Sequence, residues 1–237
     1  MNEKYELTEE FKEIETLREG WLQKIKVYRI RALRAFADVK IGDLGGFVET
    51  KQNLSNMGNA WVYGNAEVYD NARVRDNAWV CGDAWVRDNA EVCDNARVCD
   101  NARVRDNAWV CGDAWVCDNA RVCNNARVYG NARVCDNAKV YGNAEVCGDA
   151  EVYDNANIFW CSSIGSRHAT TTMFRNKDNG ITVTCGCFMG TLEEFAERVE
   201  KEHGENIFGK EYKLLIELAK IHFGLQDETK GEEENGI

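Results

Sequence analysis

Between Asn59 and Ile158 the apolar positions fall on a strict six-residue grid. Alanine stands at Ala60, Ala66, Ala72 and every sixth position to Ala156. Valine follows two places later, at Val62, Val68, Val74 and onward to Val152, and Ile158 closes the series. The unit is Ala-x-Val-x-[Asp/Gly]-[Asn/Asp], with Asn124 the one exception at the corner, and its Ala and Val/Ile positions recur seventeen times without a slip. Alternating Ala-x-Val-x carries the two-residue period of a strand with one buried face. The pair that follows is turn chemistry, because Gly, Asn and Asp enter the left-handed backbone region at little cost. Such units cannot make a helix. Three of them close a triangular turn, and stacked turns form parallel sheets with Val and Ala inside. Seventeen units give nearly six coils, roughly 27 Å at about 4.8 Å per strand spacing.

Outside the grid the pattern changes. Residues 1 to 25 scatter Glu9, Glu10, Lys12, Glu13, Glu15 and Glu19 among apolar positions, which allows a short helix. Val27-Tyr-Arg-Ile-Arg-Ala-Leu33 alternates apolar and basic and predicts a strand, and Gly42 to Val48 supplies turn signals. Residues 1–58 are therefore expected to cap the open edge of a solenoid spanning 59–159. Beyond it, Thr170–Arg175 and Ile181–Cys185 predict a hairpin joined by Asn176–Gly180. Thr191 with Glu194 forms a capping box opening a helix that His203-Gly204 ends. A second helix is expected over about Lys210 to Phe223, with Tyr212, Leu215, Ile216, Ala219 and Phe223 on one face. Residues 160–225 thus read as a small α+β cap, and 226–237 as an acidic, disordered tail.

The aliphatic-then-small hexapeptide resembles the hexapeptide-repeat, left-handed parallel β-helix family. That resemblance implies the left hand; the usual crossover rule points the other way. Tyr28-Arg-Ile-Arg-Ala-Leu33, Gly42-Asp-Leu-Gly-Gly-Phe-Val-Glu49, Asn53-Leu-Ser55 and Gly58 to Ala66 resemble a group of hexapeptide-repeat proteins common in phages and prophages. Ile164-Gly-Ser-Arg167 and Cys185-Gly-Cys-Phe188 extend the likeness. It implies fold and mobile-element origin, and it carries no site across.

Charge narrows the partners. The net charge of −11 and pI near 4.9 argue against general nucleic-acid or membrane affinity. Much of that charge, 5 of the 11 negative charges, lies outside the grid, because Asn59–Ile158 holds 16 acids and 10 bases. With no run of 18 apolar residues and a start, Met1-Asn-Glu-Lys, unlike a signal peptide, the expected location is the cytoplasm of a bacterial host. Eight of the 11 cysteines share one repeat position, and in that compartment they are expected to be reduced thiols.

Because the register never slips, residues 18 apart stack on one outer face. The first face carries Trp61, Trp79 and Trp115 beside Tyr63, Cys81, Cys99, Cys117, Cys135 and Tyr153. Outward aromatic columns on a soluble protein are expected to be covered, by a second chain or a cap, or else to be ladders stacking on themselves. Many proteins of the resembled fold are homotrimers, which makes a homo-oligomer the first candidate. The second face concentrates Arg87, Arg103, Arg105, Arg121 and Lys139, five cations able to hold phosphate or carboxylate. The plainer expectation is that each pairs with a corner Asp and nothing binds. Neither metal nor cofactor is expected. The corners lack the glycine-rich calcium nonapeptide, and Cys161, His168, Cys185 and Cys187 contain zinc donor types only at weakly specific spacing.

Two function classes compete. The resembled acyltransferases use a histidine base on or near a coil, whereas His168, His203 and His222 all lie beyond the repeat. An enzyme is therefore disfavoured. A binding protein needs only a rigid surface and a recognition element. Gly165, Ser166, Arg167, Thr170, Thr171 and Thr172 offer backbone, hydroxyl and guanidinium donors for a phosphate-bearing ligand, or else form a polar connection. The expected function is a non-catalytic, phage-derived binder that blocks a host factor or sequesters a nucleotide signal. The alternatives are an acyltransferase and a self-assembling scaffold.

Overall fold

The computed structural model describes residues 3–154 and 157–225. Residues Met1–Asn155 and Ala156–Ile237 form two compact units. The acidic tail expected at 226–237 and the alanine at 156 lie outside the described residues.

The first unit opens with two long strands, β1 (Tyr5–Arg18) and β2 (Trp21–Ala32), followed by β3 (Leu44–Val48). The helix allowed by the sequence over residues 1–25 does not form. Instead β1 pairs antiparallel with β2, from Tyr5↔Ala32 to Arg18↔Trp21. The reason lies across the hairpin rather than along β1. Acids of β1 meet bases of β2, with Arg31 Nε on Glu6 at 2.8 Å and Arg29 Nε on Glu10 at 2.7 Å. Glu19 (φ 52°) and Gly20 (φ 83°) make the two-residue turn, whose twist suits a hairpin when both φ values are positive.

Sixteen two-residue strands follow, β4 (Trp61–Val62) to β19 (Glu151–Val152), each six residues beyond the last. They form three parallel faces. One runs β4, β7, β10, β13, β16, β19; a second runs β6, β9, β12, β15, β18; the third continues β3 through β5, β8, β11, β14, β17 and also carries β1 and β2. Every pairing among β4–β19 joins residues 18 apart in register, as in Arg97↔Trp115 and Val98↔Val116, while β3 meets β5 at an offset of 20, Phe47↔Glu67. The repeat is thus a parallel β-solenoid of nearly six turns. Its core is the alanine and valine grid, each described member from Ala60 to Val152 at most 1% exposed.

The corners explain the Asp-Asn pair. Asp88, Asp94 and Asp106 all adopt φ of 57° to 61°, and each carboxylate accepts from a backbone N–H one turn on: Asp106, Gly112 and Asn124, at 3.0–3.2 Å. The following asparagines ladder through their amides, Asn71 to Asn89 to Asn107 to Asn125, each at 3.1 Å. Only short polar side chains do both jobs.

The second unit is a four-stranded antiparallel sheet with two helices. Its strands β20 (Ile158–Ile164), β21 (Ala169–Arg175), β22 (Ile181–Cys185) and β23 (Phe188–Thr191) lie in that order. The expected hairpin is β21 and β22. Ile158, the last position of the six-residue series, pairs with Phe174 in this sheet. Helix α1 (Leu192–His203) starts on the Thr191/Glu194 capping box and ends at Gly204. Helix α2 (Ile207–His222) starts three residues earlier than its apolar pattern suggested, because the Asn206 side chain caps it by accepting from Gly209 N–H. Phe195, Val199, Tyr212, Leu215, Ile216, Ala219 and Phe223 pack with Met173 and Val183 in one core.

Candidate functional site

The five cations of the second face divide into two columns. Arg87 and Arg105 stand beside the strands, and each pairs with the corner acid that follows it, Asp88 and Asp106, at 3.6 Å. The other three form a single file on adjacent strands, Arg103↔Arg121↔Lys139. Among the described residues none of the three has a carboxylate oxygen within 4.0 Å. Arg103 and Arg121 are exposed and Lys139 is half-buried.

Trp85 heads this file. It pairs with Arg103, its ring is 39% exposed, and the Arg103 guanidinium lies 4.8 Å from the ring centroid. Behind it Glu67 is neutralised by Lys12 at 2.9 Å, so its charge does not reach into the file. Trp85 is not among the candidates named from sequence. The signal was present, since an offset of 18 sets it directly before Arg103. Adjacent like charges on paired strands repel and lower stability. Three in a row on an acidic protein are an arrangement that an anion would neutralise.

The loop proposed from sequence does not assemble the convergent donors expected of it. Gly165 (φ 71°) is buried beneath Tyr212, and its N–H already donates to the Glu211 carboxylate at 3.0 Å. Any Cβ at this position would meet the Tyr212 hydroxyl at 1.9 Å, which is why glycine stands there. Thr171 and Thr172 are each 1% exposed, and Thr171 Oγ1 donates to Cys185 Sγ at 3.2 Å. Thr170 shares a 2.9 Å hydrogen bond with Ser162. Only Ser166 and Arg167 reach open space, a groove of about 700 Å³ in the second unit. That groove mixes Arg167, Arg198 and Lys201 with Glu194, Glu197 and Glu202, and Arg198 is paired with Glu202.

The aromatic first face is in part used up by its own chain. Trp61 is 1% exposed, lying edge-on against Tyr5 and Phe36 at centroid distances of 6.1 and 5.2 Å. Tyr63 donates to Asp38 at 2.8 Å. The N-terminal segment thus buries Trp61 and holds the hydroxyl of the half-buried Tyr63. Trp79 and Trp115 take Arg97 and Arg133 on their rings, at 5.0 and 5.9 Å, while Trp115 and Tyr153 are each 38% exposed.

The cysteines differ from expectation in one pair. Cys81 and Cys99 are joined by a disulfide, with Cα atoms 4.5 Å apart. Parallel side chains point the same way, but this spacing lets two sulfurs turn along the column and meet. Among the described residues Cys161, His168, Cys185 and Cys187 do not gather into a donor cluster. Of the histidines, His203 stacks on Tyr212 at 5.7 Å and His222 lies against Phe159 and Phe223.

The search of curated proteins found no match. Residues 66–82, 96–112, 120–136 and 126–142 match the family model described as the YdcK beta solenoid repeat. Together with the stacked parallel faces, that match shows a β-helix repeat protein.

Proposed function

We propose that the chain is a non-catalytic binding protein whose solenoid reads a phosphate-bearing nucleotide along the file Trp85–Arg103–Arg121–Lys139. The observation that carries this reading is the run of three adjacent cations without a carboxylate among the described residues, headed by an exposed indole. Phosphoryl groups in a row would neutralise the cations, with bidentate contacts from the two arginines and a point charge from the lysine. The indole offers a π-face to a base. The binding role we favour is sequestration of a nucleotide signal, the mode expected of a mobile-element protein acting against its host. Acyl transfer is less well supported, because all three histidines belong to the second unit and two of them pack against aromatic rings.

A calorimetric panel tests the reading. Nucleoside, nucleoside monophosphate, nucleoside triphosphate and inorganic triphosphate are titrated into the protein at about 0.15 M salt, where exposed charges act over roughly 8 Å. Affinity should rise with phosphate number and be greater for the nucleoside triphosphate than for inorganic triphosphate. Arg167→Lys should leave it unchanged. Loss of binding in Arg167→Lys would move the site to the groove of the second unit, and silence across the panel would overturn the nucleotide reading.

A further inference from the structure

The buried cysteine columns hold two further clusters. Cys93, Asp94 and Cys111 present donor atoms all within 4.8 Å of one another, and so do Cys117, Asp118 and Cys135. Both have the same construction. A cysteine and its following corner aspartate meet the cysteine one turn on, 18 residues later. The disulfide pair Cys81 and Cys99 has the same spacing but a different corner, because Gly82 follows Cys81 and supplies no carboxylate.

We propose that each Cys-Asp/Cys cluster is a binding site for a thiophilic divalent cation of the zinc class. Zinc–sulfur bonds of about 2.3 Å set two thiolates on one ion roughly 3.8 Å apart at a tetrahedral angle, within the span these donors already occupy. Two sulfurs and one carboxylate oxygen make three ligands and leave the fourth position for water. The donor set also selects the charge. Two thiolates and a carboxylate around a divalent ion leave one net negative charge, around a monovalent ion two, and the oxygen donor suits zinc better than copper(I).

The surroundings supply support and a route in. Trp109 Nε1–H donates to Cys93 Sγ at 3.2 Å, and the Asp94 carboxylate is fixed by Gly112 N–H at 3.1 Å. Asp118 accepts from Asp136 N–H at 3.3 Å and from the Cys117 thiol at 3.2 Å. The thiols are buried, whereas Asp94 is exposed and Asp118 half-buried, so an ion reaches the sulfurs past the carboxylate. Binding releases the two thiol protons of each site to solvent, and the metal takes their place.

The test is an anaerobic cadmium titration of the full chain, without added thiol so that the Cys81–Cys99 bond is kept, read by thiolate-to-metal absorption and native mass spectrometry. Cysteine-to-serine changes are expected to fold, because the same repeat position accepts Tyr63, Arg75 and Arg105 elsewhere; circular dichroism checks this. Wild type should bind two ions per chain, Cys135→Ser one, and Cys111→Ser/Cys135→Ser none with thiolate absorption. Cys187→Ser, at an exposed position outside both clusters, should still bind two. Absence of thiolate absorption in wild type, its persistence in the double variant, or a Cys117–Cys135 disulfide in the purified protein would overturn the proposal.

Discussion

The guanidinium of Arg103 lies 4.8 Å from the centroid of the Trp85 ring, one turn back in the same column. The contact holds one end of the cation file against a rigid surface and leaves Arg121 and Lys139 to complete it. A cation over an exposed indole is worth about 0.5–1 kcal/mol. Trp85→Ala should therefore lower stability by no more than about 1 kcal/mol in denaturant unfolding. On the proposed function it should also weaken nucleoside triphosphate binding while sparing inorganic triphosphate. Equal loss for both ligands would assign the indole a purely structural role.

Trp61 and Trp115 occupy the same column and should behave differently. Trp61 is enclosed by Tyr5 and Phe36, whereas Trp115 is 38% exposed. Truncating a buried tryptophan costs about 3–5 kcal/mol. Trp61→Ala should lose about that amount in urea unfolding, and Trp115→Ala about 1 kcal/mol or less. Similar losses would contradict the covering of the first turn by the N-terminal hairpin.

Much of this fold was readable because one residue's periodicity answers for its neighbours. Once Ala60 and Val62 repeat every six positions, every pairing 18 residues apart follows, and so does the file of Arg103, Arg121 and Lys139. What was not readable depended on contacts between segments without a period. The strand at Tyr5–Arg18 is held by charges on Trp21–Ala32, and a scan along residues 1–25 sees only acids at mixed spacing. Burial of Trp61 came from Tyr5 and Phe36, far away in sequence. The loop at Gly165–Thr172 looked like an anion site because donor types were counted. Strand alternation instead turned Thr171 inward, and Glu211 reached the Gly165 amide first.

Lys4 links stability to pH. Its Nζ donates to the Ala60 carbonyl at 2.8 Å within fully buried surroundings. Burial first, and the Arg34 charge second, lower its pKa from 10.5 to about 8. Below about pH 8 both folded and unfolded chains carry the proton, and charging the buried amine opposes folding. As pH rises toward 10.5 the folded chain releases it first, so the penalty fades. Cysteine and tyrosine side chains with raised pKa values act in the opposite sense over the same range. The informative quantity is thus wild type minus Lys4→Met, which should shift in favour of wild type by about 1–3 kcal/mol between about pH 7.5 and 10.5. A flat difference would contradict a charged, buried Lys4.

An insertion tests the continuous register. One residue added after Asn107 would move every later Ala and Val off the core face unless the chain bulges locally. Several apolar side chains at about 1.5–3 kcal/mol each would lose burial, so stability should fall by several kcal/mol. An equally stable variant with no local bulge would contradict the in-register stacking.

The central claim is that Arg121 and Lys139 bind phosphate together on the solenoid face. Isothermal titration of a nucleoside triphosphate into wild type and Arg121→Ala/Lys139→Ala tests it most directly. Both positions lie on two-residue strands, and removing adjacent like charges relieves repulsion, so circular dichroism should stay unchanged and the unfolding midpoint should not fall. Removal of two phosphate contacts at roughly 1.5–3 kcal/mol each predicts affinity at least about a hundredfold weaker. Equal affinity in the two proteins, with the fold intact, would contradict the account.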